Sequence, residues 1–92
     1  MQNTKVEGRE NLIHLVKKAI ELLCEKNISK VVVLSSYKIN SILRENFGVN
    51  IKVDRIGRIL SRVAKLNQLK RLQTNIPKYK LSVAKVSSLQ FF

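Results

Sequence analysis

Residues 53 to 65, VDRIGRILSRVAK, constrain the fold more than any other stretch of the chain. An α-helix advances about 100° per residue; with Arg55 at 0°, Arg62 falls at about −20°, Arg58 at about −60° and Lys65 at about −80°. Val53, Ile56, Ile59, Leu60, Val63 and Leu66 are assigned to the apolar side of the same helix. A segment oily on one side and cationic on the other settles as a surface helix with its apolar side on a core. Solvated helix faces usually mix both signs, because like charges at i,i+3 and i,i+4 repel. Here Asp54 alone offsets four cations. The uncompensated stripe calls for counter-charge from an external polyanion.

The rest of the chain sharpens that asymmetry. Residues 1–51 hold eight Lys or Arg against five acids, a balance of +3, while residues 52–92 hold ten against Asp54, a balance of +9. Together they make the net charge of +12. An anionic surface, nucleic acid foremost, is expected to dock on the second half. Ninety-two residues, 45% of them hydrophobic, suit one globular domain with a modest core.

Other classes find little support. No apolar run approaches the ~20 residues of a membrane span, and MQNTKVEGRE is too polar for a signal peptide. A cytoplasmic protein with no membrane partner is expected. Cys24 is the single cysteine, so no intramolecular disulfide can form, and it reads as a small core residue. His14 has no Cys, Asp or Glu at ligand spacing, so no metal is expected. Glu21 and Glu25 stand among Lys17, Lys18 and Lys26 and read as ion-pair partners rather than an acid–base pair. Gly8, Gly48 and Gly57 are isolated and form no phosphate loop. No catalytic residue, enzyme activity or cofactor is expected.

Along the chain, residues 1–8 read as a loose lead, 9–85 as the folded domain and 86–92 as an apolar tail. Arg9 to Lys26 has Leu12, Ile13, Val16, Ala19, Ile20 and Leu23 at helical spacing. Leu15 and Leu22 widen that arc to about 200°, against the ~100° that one-sided packing needs. The surplus is either wrapped by the rest of its own chain or shared with a second copy; a homodimer through Leu15 and Leu22, with Leu89, Phe91 and Phe92 of the tail, is expected. KVVVLS is β-branched and short, a strand. YKINSILRENF is the next helix, with Ser35 or Ser36 as N-cap and Gly48 at its end. Asn50 is expected to cap the basic helix, leaving Gly48-Val49-Asn50 as a three-residue turn of helix-turn-helix spacing. QLKRLQT and KYKLSV flank NIP, and Tyr79, Leu81 and Val83 alternate with Lys78, Lys80 and Ser82, the pattern of a β-hairpin. Tyr79 reads as a core residue rather than a base-stacking one. Gly57, near Ala64 on the wheel, reads as a site of close helix packing.

The order helix, strand, helix, turn, helix, hairpin, with RIGRILSRVAKLNQLKRLQTNIPKYKLS at its centre, resembles the winged helix-turn-helix family. The likeness spans residues 30 to 83 and is strongest to the small basic forms common in archaea and their viruses and plasmids. It implies an α+β fold of three helices, a short strand and a C-terminal β-hairpin wing. It also implies that helix 53–66 enters the major groove of double-stranded DNA, while hairpin 68–83 touches phosphates or the minor groove. Carried over by position, Arg55, Arg58, Arg62 and Lys65 form the groove set and Lys70, Arg71, Lys78 and Lys80 the wing set. Lys38 and Lys52 flank them on the backbone.

The expected function is that of a small transcriptional regulator binding duplex DNA. Two other readings stand beside it: an architectural DNA protein without sequence preference, and an accessory subunit with a protein partner in a replication or transcription complex. RNA binding is a fourth. The groove set is all Arg and Lys with Ser61 at its margin, and lacks the Asn or Gln that reads adenine.

Overall fold

The computed structural model describes residues 8–92; most of the lead assigned to residues 1–8 therefore lies outside the described residues. Three α-helices and a three-stranded antiparallel sheet enclose one core. The elements run α1 (Arg9–Lys26), β1 (Val31–Ser35), α2 (Ser36–Phe47), α3 (Val53–Asn67), β2 (Lys70–Arg71) and β3 (Lys78–Ser82), followed by a 3₁₀ turn, Val83–Ser88. The α+β class and the element order both match the sequence reading.

Local chemistry explains the breaks. Ser35 is the N-cap of α2, its Oγ accepting from the Lys38 amide at 3.1 Å. Gly48 ends α2 at φ 66°, left-handed backbone that glycine adopts without a Cβ clash. The Val49 amide then closes on the Leu43 carbonyl at 3.1 Å. Five residues, Gly48 to Lys52, separate α2 from α3, not three. The residue capping α3 is Lys52 rather than Asn50, and no side chain closes the cap. What holds the turn instead is Asn40, one helix back. Its side-chain amide donates to the Ile51 carbonyl, while its Oδ1 accepts from Arg44 Nη1 at 2.9 Å. Ile51 itself is buried, so the turn is pinned to the core and cannot end where Asn50 would cap.

The sheet joins elements far apart in sequence. Its order is β1-β3-β2, so the strand before α2 pairs with the second strand of the hairpin. Register sets Val32 opposite Leu81 and Leu34 opposite Tyr79, and these four form the buried face. The hairpin is lopsided, since β2 holds only Lys70 and Arg71 of the run QLKRLQT. The reason lies upstream: α3 continues to Asn67, and Gln68 turns the chain at φ 56° with the Leu69 amide bonded to the Ala64 carbonyl at 2.9 Å.

Against the sheet, α1 contributes Leu12, Val16, Ala19, Ile20 and Cys24, α2 contributes Ile39 and Leu43, and α3 contributes Ile56, Ile59, Leu60, Val63 and Ala64. Burial pushes the Cys24 thiol up, with a smaller push from Glu21, which keeps it an unreactive core side chain. Leu66 departs from its assignment to the apolar side and is 47% exposed. It lies only about 20° from Arg55 on the wheel. Much of the wide arc of α1 is covered within the chain. Ile13, Leu15 and Leu23 pack on the core, and Val86, Leu89 and Phe91 reach the same core from the C-terminal side. Asn67 clamps that tail, its Nδ2 donating to the Gln90 carbonyl at 2.9 Å and its Oδ1 accepting from the Gln90 amide at 2.8 Å.

Gly57 faces the start of α2 rather than a tight crossing. A Cβ placed there would meet the Ser36 Cβ at 3.8 Å, an ordinary contact. Gly57→Ala is therefore expected to stabilise the fold by about 0.5–1 kcal/mol through helix propensity. A denaturant midpoint equal to or below wild type would show that the site needs glycine.

Candidate nucleic-acid interface

The apolar side of α3 is consumed by the core, which fixes the rotation of the helix. Ile56 and Val63 are fully buried, and Arg55, Arg58, Arg62 and Lys65 are all exposed. A stripe present only as a pattern in the sequence thus becomes a continuous surface.

The helix dipole helps sort these cations. A positive side chain near a helix N-terminus is unfavourable, and one near the C-terminus favourable, by about 0.3–1 kcal/mol. Lys65 lies in the last turn of α3, where the dipole rewards it. Arg55, together with Lys52 at the cap, lies at the wrong end for stability. Lys38, also exposed, lies at the equally unfavourable start of α2. Helix stability does not account for cations at those positions.

Beside α3 runs an open groove of about 1010 Å³. One wall is α3, with Arg55, Arg58 and Arg62; the other is the β2–β3 loop at Asn75, Ile76 and Pro77. Ser36 and Tyr37 close one end, and Tyr79 lines the inside. The loop is shaped from within, as the Leu72 amide donates to the Lys78 carbonyl at 2.8 Å and Thr74 Oγ1 donates to the Ile76 carbonyl. Tyr37 and Ile76, 54% and 42% exposed, were not legible as site residues. Neither belongs to a charge pattern, and only the return of the hairpin tip toward α3 brings them to one groove. Tyr79, at 9% exposure, is held in the core, as its alternation with Lys78 and Lys80 implied.

Two of the expected sets come apart. In a strand, side chains alternate between faces. Lys80 pairs with both Val33 and Lys70, so Lys70, Lys78 and Lys80 share the face of the sheet turned away from the core. Arg71, paired with Tyr79, lies on the other face. The wing set is thus not one surface with α3. Arg62 carries a further contact, with the Phe92 ring 4.5 Å from its guanidinium carbon, and Lys17 lies 5.9 Å from the Phe91 ring. Such stacking fixes the plane of a guanidinium while leaving its N–H edge free to donate. Of the residues expected to join a second copy, Leu15, Leu22, Leu89 and Phe91 are half-buried within their own chain and Phe92 is 39% exposed.

Among the described residues, no cluster of three His, Cys, Asp or Glu could hold a metal ion, and no helix is long and apolar enough to cross a membrane. No protein-family model, curated protein or solved structure matches the chain.

Proposed function

We propose that this protein binds double-stranded DNA as a winged helix-turn-helix protein and acts as a small transcriptional regulator. In this reading α3 lies in the major groove and the β2–β3 loop rests on the flanking backbone or in the minor groove. One observation carries it: Arg55 and Arg58 stand exposed on α3, lining an open groove, while the opposite side of that helix is sealed in the core. An α-helix fits the roughly 12 Å width of the B-DNA major groove. Arginine can also read guanine through a bidentate pair.

Binding without sequence preference is the second reading, and the residue types on the helix favour it. Ser61, the one neutral polar residue near the stripe, is half-buried, which leaves Arg and Lys to make the contacts. Selection from random duplexes, with RNA and single-stranded DNA as competitors, separates the readings. Enrichment of a guanine-containing motif is expected. A palindrome with half-sites about 34 Å apart would report two copies joined through Leu15 and Leu22. A flat outcome with duplex still preferred would give the architectural role, and preference for RNA would sink both.

A further inference from the structure

The sheet has an outer face that the α3 interface does not use. Lys70 and Lys80 are exposed and directly opposite one another, and Lys78 follows on the same face, half-buried, beside Val31 and Val33. Like charges placed directly across a strand pair destabilise a sheet. Nothing in the sheet relieves them. The six acids of the chain, at positions 7, 10, 21, 25, 45 and 54, all lie outside β1, β2 and β3. This face is therefore a second cationic surface, with no acid on its own strands. It is also separate from the first. Ile56, Leu60 and Val63 turn the apolar side of α3 into the core, and Val32, Leu34 and Leu81 turn one face of the sheet into that same core. The cationic side of α3 and the lysine face of the sheet are the outward sides of two elements packed on shared apolar residues.

We propose that Lys70, Lys78 and Lys80 bind the phosphate backbone of a second duplex, so that one molecule bridges two duplex segments. The inference rests on the reading of α3 as the first duplex-binding surface. Lysines are point charges without the planar fork that reads a carboxylate or a base edge. An outward face of lysines with short apolar neighbours suits a dense, repetitive polyanion, and a duplex carries one charge per about 1.7 Å of axis. Contacts of this kind position without reading sequence. The second duplex is held whatever its sequence, while any sequence preference stays with α3.

The test is a capture experiment with the full chain. One duplex is fixed to beads, a second, fluorescent duplex is supplied in solution, and protein is titrated between them. The wild type is expected to retain the second duplex, with a steep loss as salt rises. The triple variant Lys70→Gln, Lys78→Gln, Lys80→Gln is expected to retain about tenfold less, while its affinity for a single duplex stays within about twofold. Its melting temperature should hold or rise, because repulsion across the strand pair is relieved. Three results overturn the proposal while leaving the α3 reading in place. The wild type could bind one duplex and never capture another. The triple variant could capture as well as wild type, which would assign bridging to paired copies. Or single-duplex affinity could fall in step with capture, which would make the sheet and α3 one footprint. A wild type that binds no duplex at all would overturn the α3 reading, and this inference with it.

Discussion

Replacing Arg55 and Arg58 with alanine is expected to lower duplex affinity about 10- to 100-fold at moderate salt and to flatten its salt dependence. Each phosphate contact contributes about 0.9 to the slope of log K against log salt, so two lost contacts remove about 1.8. Arg55 and Arg58 are chosen over Arg62 because the latter is stacked on Phe92, and its loss would also disturb the tail. Both side chains are exposed, so the fold should melt at or slightly above the wild-type temperature as like-charge repulsion along α3 is relieved. Lys18→Ala, on an exposed position of α1 away from the groove, is the control and should bind nearly as wild type does; Lys17 is left in place because it lies against the Phe91 ring. Titrations at several salt concentrations decide the matter. If the α1 variant loses binding and the α3 variant keeps it, the stripe is an ordinary solvated face.

The second large effect lies on the other side of the same helix. Ile56 is 0% exposed and packs among residues from all three helices and the sheet. Ile56→Ala is expected to cost about 2–5 kcal/mol, from lost burial and the cavity left behind. Against a total stability of about 5–15 kcal/mol, this is a large fraction. The corresponding fall in melting temperature is about 10–35 °C for a domain of this size. One residue from Arg55, the expected effect thus changes from binding to folding. A melting temperature within a few degrees of wild type would mean that α3 is rotated differently on the core, and the assignment of its cationic face would fall with it.

The contrast between Ile56 and Arg55 also marks how far the chain is readable by itself. Helices and strands impose fixed periods on side chains, so the limits of α1, a capping serine before α2 (Ser35 or Ser36, of which the structure uses Ser35) and the left-handed stop at Gly48 follow from local residue types. The alternation of Tyr79 and Leu81 with Lys78 and Lys80 predicted which side of β3 is buried for the same reason. The turn before α3 followed no such rule. Asn50 is a good capping residue, but burial of Ile51 and the hydrogen bond from Asn40 set the helix start at Lys52. Gln68 in a left-handed stop likewise carries no local signal, since glycine is the residue that advertises one.

The sequence by itself determined the cationic stripe, the α+β order and the excess of positive charge after residue 51, because each depends on spacing or composition along the chain. The tertiary structure alone decided which cations share a surface. Pairing of β1 with β3, 47 residues apart at Val33 and Lys80, turns Lys70, Lys78 and Lys80 away from α3. Return of the hairpin tip brings Ile76 to the groove beside Tyr37. Contacts between residues so far apart are set by the core's demand to bury Leu34, Leu81 and Ile56 together, and no local period encodes that demand.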